Sequence, residues 1–288
     1  MKRGVFVMLL LFVVMAAAMA TALAQGRIEH FTMKSHVLGV EKPYSVYLPE
    51  GYDHSTERYP VLYLLHGAKG SHESWCREGR HALPDLADVE IAAARAKRMI
   101  VVMPDASGKG EKRAGKDMGY FNVAGWPYET YFFDEFIPCI DKKFRTIAEK
   151  RGRAVAGLSM GGGGAFVYAQ RHPDLFIAAY STSGLLDHRY RPAVPEYYDA
   201  GWLMSVAQTS PVEYLRNATA EQVEKLRTVR WMLDCGDDDG LIKTNFDFVS
   251  EMHRAKVPVE FRVRDGVHDW KFWLEALPMI LRFSFPEE

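Results

Sequence analysis

Short apolar runs alternate with amphipathic segments along most of the chain. Several of these runs are nearly continuous rather than alternating in polarity, as strands are when both of their faces are buried. Such strands are typical of a mostly parallel sheet that is covered by helices. The runs predicted to be strands are 44–48, 61–65, 99–103, 154–157, 177–181, 230–234 and 259–264.

Amphipathic segments with apolar residues at a spacing of about 3.6 residues lie between these runs. They predict helices, and the alternation of strand with helix indicates an α/β domain that has helices on both faces of its sheet. The segments predicted to be helices are 83–96, 129–144, 162–171, 244–255 and 270–283.

Two longer stretches interrupt the alternation, at residues 107–128 and 185–228. The first is rich in glycine and lysine, and the second contains several prolines. Loops of this length inside a compact domain are typical of lids and substrate pockets. We therefore expect lid insertions over the sheet, with a surface loop of no special role as the alternative for the first stretch.

The first 24 residues have the pattern of a secretory signal peptide. Lys2 and Arg3 precede an apolar run that ends near Ala20, and Ala22-Leu23-Ala24 has the small residues that signal peptidase prefers. The apolar run is shorter than the roughly 20 residues of a membrane span. We expect cleavage after Ala24, a secreted or periplasmic protein, and one domain over residues 25–288; an uncleaved anchor is the alternative.

Charge and cysteine content limit the partners of this domain. The 288 residues carry a net charge of −1 with no long block of one sign, which argues against nucleic acid or an anionic membrane as a partner. Cys76, Cys139 and Cys235 are an odd number, and we interpret them as packing residues. No metal-binding motif occurs, so we expect neither a metal nor a cofactor. The oligomeric state stays open.

The segment Gly157-Leu158-Ser159-Met160-Gly161 has the Gly-x-Ser-x-Gly pattern of a nucleophile elbow, placed between a predicted strand and a predicted helix. In such an elbow the turn is too tight for side chains two residues from the serine, and the serine hydroxyl projects above the sheet. Ser159 is therefore the candidate nucleophile. The alternative, a phosphate-binding loop, lacks the Gly-x-x-x-x-Gly-Lys-Ser/Thr spacing.

A serine hydroxyl needs a base, and in this kind of fold the acid and then the histidine follow the serine along the chain. His268 lies on a short loop between a predicted strand and a predicted helix, which is the place expected for the base. His172 lies at a predicted helix end and His253 within a predicted helix. His268 is therefore the candidate general base.

The acid that orients this histidine should follow the preceding strand. Asp237, Asp238 and Asp239 stand there side by side, and the pattern alone does not choose between them. A calcium loop is the alternative, but its alternating Asp-x-Asp-x-Asp-Gly register is missing. The sequence thus limits the candidate acid to one of these three aspartates.

A tetrahedral intermediate needs two backbone amides that point at its oxyanion. The residue after the nucleophile, Met160, supplies one amide, and the loop Leu65-His66-Gly67-Ala68-Lys69-Gly70 follows an early strand and offers the other. Ala68 is the best-placed donor of that loop. His66 precedes the elbow in the chain, so we expect it to shape the loop rather than to act as the base.

Together these residues resemble the esterase D-like branch of the α/β-hydrolases, which includes feruloyl and acetyl xylan esterases, tributyrin esterases, S-formylglutathione hydrolases and mycolyltransferases. The resemblance implies the α/β-hydrolase fold, a cofactor-free serine esterase, Asp239 as the acid, and Ala68 and Met160 as oxyanion donors. Its motifs here are Tyr63-Leu64-Leu65-His66-Gly67, Asp134-Glu135-Phe136-Ile137-Pro138, Gly157-Leu158-Ser159-Met160-Gly161, Asp234-Cys235-Gly236 and Gly266-Val267-His268-Asp269-Trp270.

By analogy the resemblance also implies a substrate class, an ester of small acyl groups, feruloyl or acetyl, on plant polysaccharides or oligosaccharides. Trp126, Tyr128 and Trp202 are the predicted substrate contacts, among the aromatic residues of the two insertions; a purely structural role inside the lids is the alternative. An acyltransferase with the same residues and a non-catalytic binding protein are the alternative functions.

Overall fold

An eight-stranded sheet organises the chain in the computed structural model, which describes residues 25–76, 83–108, 119–123, 125–187 and 209–285. The order of strands across the sheet is β1-β2-β4-β3-β7-β8-β9-β10, and β5 and β6 form a separate hairpin. The strands are β1 (Arg27–Lys34), β2 (Glu41–Leu48), β3 (Val61–Leu65), β4 (Ile100–Pro104), β5 (Asn122–Val123), β6 (Trp126–Pro127), β7 (Arg153–Leu158), β8 (Ala178–Thr182), β9 (Arg230–Gly236) and β10 (Glu260–Arg264).

Strands β4, β3, β7, β8, β9 and β10 run parallel to one another. Strand β2 runs antiparallel to β4, and β1 runs antiparallel to β2. Every residue of β3, β4, β7 and β8 is buried. The continuous apolar runs have this origin, because a central parallel strand has no face that meets water. The predicted mostly parallel sheet is therefore confirmed, and the carboxyl ends of its parallel strands meet along one edge.

Helices cover both faces of the sheet over two separate apolar clusters. Helices α1 and α8 pack on one face, over side chains such as Leu62 and Val101, and the other helices pack on the opposite face, over Tyr63 and Val102. The helices are α1 (Leu83–Ala92), α2 (Tyr128–Tyr131), α3 (Ile137–Lys143), α4 (Met160–Arg171), α5 (Pro211–Asn217), α6 (Ala220–Leu226), α7 (Ile242–Arg254) and α8 (Trp270–Ser284).

The structure corrects several element boundaries. The single helix predicted over 129–144 is divided by a π-helical turn, Phe132–Phe136, which separates α2 from α3. Part of the predicted insertion 185–228 is regular, because α5 and α6 lie within it. Helix α5 is held to α4 where the Gln170 side-chain amide donates to the carbonyl oxygen of Pro211 at 3.0 Å. Residues 188–208 lie outside the described residues.

Capping residues fix the starts of α5 and α6. The Ser210 side chain accepts from the Glu213 amide at the start of α5, and Thr219 and Gln222 form a reciprocal capping box at the start of α6. These are sequence signals that the periodicity analysis missed. None of the helices within the described residues combines the length and the apolar character needed to span a bilayer.

Candidate active site

Ser159 occupies the sharp turn between β7 and α4. Its φ is +53°, a left-handed value that costs a residue with a side chain about 1–3 kcal/mol. The turn also admits only glycine on each side: a Cβ on Gly157 would lie 2.4 Å from the Gly161 carbonyl group, and one on Gly161 would lie 2.5 Å from the His66 carbonyl oxygen. The glycines of the motif therefore serve close backbone approach, as predicted.

His268 lies on the loop between β10 and α8 and reaches both of its predicted partners. Its Nε2 is 3.0 Å from Ser159 Oγ, and its Nδ1 is 2.8 Å from Asp239 Oδ2. The loop is fixed behind it because the Asp269 side chain caps α8 by accepting from the Phe272 amide. Three side chains distant in the sequence thus meet at the carboxyl edge of the sheet, in one hydrogen-bonded line.

The three adjacent aspartates have different surroundings. Asp239 is buried, and its second oxygen accepts from the Leu241 amide at 2.8 Å. Asp237 Oδ1 accepts from the Gly266 amide at 3.0 Å, so that this carboxylate joins the two loops after β9 and β10, while Asp238 is exposed. The sequence pattern left these positions open, and only Asp239 contacts His268 within the described residues.

The electrostatics of Asp239 favour its ionised form. Burial alone would raise the pKa of this carboxyl group, but the hydrogen bond and electrostatic attraction of His268 and the hydrogen bond from the Leu241 amide lower it, and the net pKa lies below its ordinary value. An ionised Asp239 accepts from Nδ1–H, which leaves the lone pair of His268 Nε2 directed at Ser159. The arrangement can therefore remove a proton from the serine hydroxyl.

Both predicted oxyanion donors lie beside Ser159. Helix α4 begins at Met160, so the Met160 amide belongs to the first turn, where amides have no acceptor within the helix. The loop after β3 crosses next to the elbow, since a Cβ on Gly67 would lie 3.4 Å from the Cβ of Ser159. Ala68 follows in that loop and lines the same cleft as Ser159.

His66 holds this loop in place through both of its ring nitrogens. Nδ1 donates to the Gly67 carbonyl oxygen at 2.7 Å, and Nε2 accepts from the Ala106 amide at 2.9 Å. The ring is buried, and burial lowers its pKa, which keeps the imidazole neutral. His66 therefore has the loop-shaping role that was predicted for it.

A buried ion pair lies beneath the same loop and was not predicted. Lys42 Nζ donates to Asp105 Oδ1 at 3.0 Å and to the Ser107 carbonyl oxygen at 2.7 Å. Asp105 Oδ2 accepts from the His72 amide at 3.4 Å. Burial raises the pKa of Asp105, but the charge of Lys42 and its other neighbours bring the net pKa below its ordinary value. The position of Asp105 directly after β4 was the only sequence signal.

We expect Lys42→Met to destabilise the protein by about 3–5 kcal/mol, because it leaves Asp105 charged, buried and without its cation. Urea unfolding at neutral pH measures the loss, and Lys34→Met, which removes an exposed lysine of β1, is the matched control. The difference in unfolding free energy between the two variants should shrink as the pH falls, because a protonated Asp105 needs no cation. Equal stability of the two variants would contradict the role of the pair.

Ser159 and His268 open into a cleft of about 360 Å³. Two tryptophans form one wall of it: Trp270 and Trp273 contact each other edge to face at 5.3 Å, and Trp273 meets the His268 ring in the same way at 5.0 Å. Behind them the buried Trp75 packs against Trp270 at 5.5 Å. The other lining residues are Gly67, Ala68, Lys69, Gly70, Ser74 and Leu158.

The predicted substrate contacts Trp126 and Tyr128 are corrected. Both are buried, with 1% and 0% of their surface exposed, and neither lines this cleft. The Tyr128 hydroxyl instead donates to the Asp105 carbonyl oxygen at 2.9 Å, so these aromatic residues belong to the core beneath the loop. Trp202, with its neighbours Tyr197 and Tyr198, lies outside the described residues.

Comparison with known proteins gives independent information on the fold and on the class of protein. A family model described as "Putative esterase" matches residues 35–284. A solved structure of a ferulic acid esterase is 41% identical, with a TM-score of 0.83 over 91% of this chain and 98% of that chain. A ferulic acid esterase from Anaeromyces mucronatus, solved with ferulic acid, is 17% identical and shares the fold, with a TM-score of 0.69 over 91% and 92% of the two chains. The predicted α/β-hydrolase fold is confirmed.

Two protein sequences extend the comparison. An endo-1,4-beta-xylanase/feruloyl esterase from Xylanibacter ruminicola is 39% identical over 155 residues, which are 52% of this chain and 20% of that protein. An acetyl esterase from Caldicellulosiruptor saccharolyticus is 25% identical over 250 residues, which are 82% of this chain and 86% of that protein. The chain thus spans only a fifth of the Xylanibacter protein.

Proposed function

Because the chain belongs to the esterase family, we propose that it is a serine carboxylic ester hydrolase with Ser159 as its nucleophile. One observation carries the proposal. Ser159 Oγ, the His268 ring and the Asp239 carboxylate are joined by contacts of 3.0 and 2.8 Å at the edge of an accessible cleft. This is the geometry by which a base and its orienting acid activate a hydroxyl.

In the first half of the proposed reaction, Ser159 Oγ attacks the ester carbonyl carbon while His268 Nε2 takes the hydroxyl proton. The tetrahedral intermediate then expels the alcohol, which receives that proton from His268, and an acyl-enzyme remains. Water repeats the sequence and releases the acid. Asp239 holds the His268 tautomer and stabilises the imidazolium that forms twice in each cycle.

The amides of Met160 and Ala68 are proposed to hold the negative oxygen of each intermediate. The start of α4 adds the positive end of a helix dipole next to Ser159. Losing one oxyanion donor costs about 10²–10³ in kcat in enzymes of this kind. This electrostatic term needs no cofactor.

We further propose feruloyl or acetyl esters of plant polysaccharides, or related small esters, as substrates. The tryptophan wall beside Ser159 supports an aromatic acyl group, because Trp270 and Trp273 offer rigid apolar surface to a planar ring. The cleft volume of about 360 Å³ is within the range of small-molecule sites. Relatives named feruloyl esterase and acetyl esterase support the same classes.

A hydrolysis panel tests this proposal. Acetyl, butyryl and feruloyl esters are compared as free methyl esters and as esters of xylo-oligosaccharides, with kcat/KM as the readout. We expect the feruloyl esters to be preferred and the attached sugar to raise kcat/KM further. Transfer of the acyl group to added sugar in preference to water would instead indicate an acyltransferase.

We expect Trp270→Leu to lower kcat/KM for methyl ferulate by about tenfold relative to p-nitrophenyl acetate, because a lost aromatic contact of about 1.4 kcal/mol corresponds to a factor of ten. The ratio of the two substrates cancels damage common to both. Phe246→Leu, at an exposed phenylalanine outside the cleft, is the control. An unchanged ratio in Trp270→Leu would contradict an aromatic acyl site at this wall.

Export is a separate proposal and depends on residues 1–24, which lie outside the described residues. Their charged start, apolar run and Ala22-Leu23-Ala24 end support cleavage after Ala24. Expression of the complete chain followed by fractionation and N-terminal sequencing tests it. The expected product begins at Gln25 and lies outside the cytoplasm, and an intact Met1 in the membrane fraction would indicate an anchor.

A further inference from the structure

A second cluster of chemically reactive side chains lies away from Ser159. His30 on β1 and His72 and Glu73 in the loop after β3 each offer one ligand atom, and these three atoms lie within 4.8 Å of one another. The sequence separates His30 from His72 by 41 residues, so no metal-binding motif marks the group. Only the fold brings an edge strand and this loop together.

The two imidazoles are held in fixed orientations by one hydroxyl group. Ser45 is the cross-strand neighbour of His30, and its Oγ lies 2.8 Å from His30 Nδ1 and 2.7 Å from His72 Nδ1. The rings stand edge to face with centroids 5.8 Å apart. A hydrogen bond to one ring nitrogen that fixes the ring is the usual support of a metal-binding histidine.

The backbone beneath the cluster is also fixed. The His72 amide donates to Asp105, whose carboxylate is held by the buried Lys42. His30 is part of a regular antiparallel pair of strands. The ligands thus come from two anchored parts of the fold, which lowers the entropy cost of gathering them around an ion.

From this arrangement we infer that His30, His72 and Glu73 form a binding site for Zn²⁺. Imidazole nitrogen and carboxylate oxygen are ligands of zinc, and a set of two histidines and one glutamate with a fourth position open to water is an established zinc geometry. His30 and Glu73 are exposed, so the ion can enter from solvent. The alkaline-earth ions prefer sites made only of oxygen atoms and fit this set poorly.

A zinc ion here would tie β1 to the loop that carries Ala68. The segment from Gly67 to Ser74 is already closed by short contacts, such as the Gly70 amide on the Gly67 carbonyl oxygen and the Ser71 amide on Ser74 Oγ. Metal binding would add a link between this loop and the edge of the sheet. The site is therefore expected to stabilise the fold, and it does not depend on the proposed reaction.

Titration calorimetry of the purified protein with ZnCl₂ tests the inference. We expect one Zn²⁺ per chain and no binding of Mg²⁺ at the same concentration. At a free Zn²⁺ concentration about a hundredfold above Kd, Tm should rise by about 5–10 °C. His30→Gln and Glu73→Gln should each weaken Zn²⁺ binding by more than the roughly 10–100-fold typical of a lost supporting contact.

His253→Gln is the matched control, because His253 is exposed on α7 and belongs to no such cluster among the described residues. It should bind Zn²⁺ as the unchanged protein does. Two results would overturn the inference: no stoichiometric binding of Zn²⁺ to the unchanged protein, or equal affinity of His30→Gln, Glu73→Gln and His253→Gln. The second result would place the zinc elsewhere, for example on a cysteine.

Discussion

Ser159→Ala is expected to lower kcat for p-nitrophenyl acetate by about 10⁴-fold or more, with little change in KM. The physical reason is that, in the proposed reaction, His268 and Asp239 act only through the serine hydroxyl, which is 3.0 Å from His268 Nε2. Without Oγ no acyl-enzyme can form, and the remaining rate reflects only the binding and polarisation of the ester. Steady-state kinetics of purified variants measure the effect.

Labelling with a fluorophosphonate probe is a second experiment, which distinguishes a serine hydrolase from a protein that only binds the ester. The unchanged protein and Ser250→Ala, a variant at an exposed serine of α7, should both be labelled, and Ser159→Ala should not. A binding protein with an inactive serine would show no labelling in any of the three. Near-normal hydrolysis by Ser159→Ala would require another nucleophile.

The central strands of the sheet could be predicted because the sequence pattern that marks each of them lies within the strand itself. Strands such as β3 and β4 are buried on both faces, and their unbroken apolar runs mark them in the sequence. Strand β1 was missed, since it is an antiparallel edge strand whose residues alternate between exposed and half-buried positions. Its Arg, Glu and Lys residues masked a period of two.

In the candidate site too, the residue marked by its own turn could be predicted, and the residue chosen by contacts between distant loops could not. Ser159 was evident because Gly157 and Gly161 are required by the turn itself. Asp239 could not be chosen from Asp237 and Asp238 by pattern, because its burial and its contact with His268 arise from two loops that meet in space.

The aromatic residues show the limit of such prediction. Trp126 was a plausible lid residue by its place in a glycine-rich stretch, yet it does not line the cleft, while Trp270 and Trp273, close in sequence to His268, do. Whether a tryptophan meets substrate or core depends on tertiary packing. Proximity in the sequence to His268, the candidate base, would have been the better guide to the residues that line the cleft.

Of the three adjacent aspartates, Asp239 is expected to be the one whose change to asparagine costs most. Asp239→Asn should lower kcat by about 10⁴-fold, because an amide at this position can donate to Nδ1 and hold His268 in the tautomer whose Nε2 carries a proton. That tautomer cannot accept from Ser159. The side chain keeps its volume, so substrate binding and unfolding in urea should change little.

The neighbouring variants are the matched controls for this assignment. Asp237→Asn keeps the oxygen that accepts from the Gly266 amide, and Asp238 is exposed, so both variants should retain most of kcat. If Asp237→Asn or Asp238→Asn lost more activity than Asp239→Asn, the orienting role would move to that neighbour. The order of the three kcat values therefore decides whether the 2.8 Å contact between His268 Nδ1 and Asp239 is the one that serves catalysis.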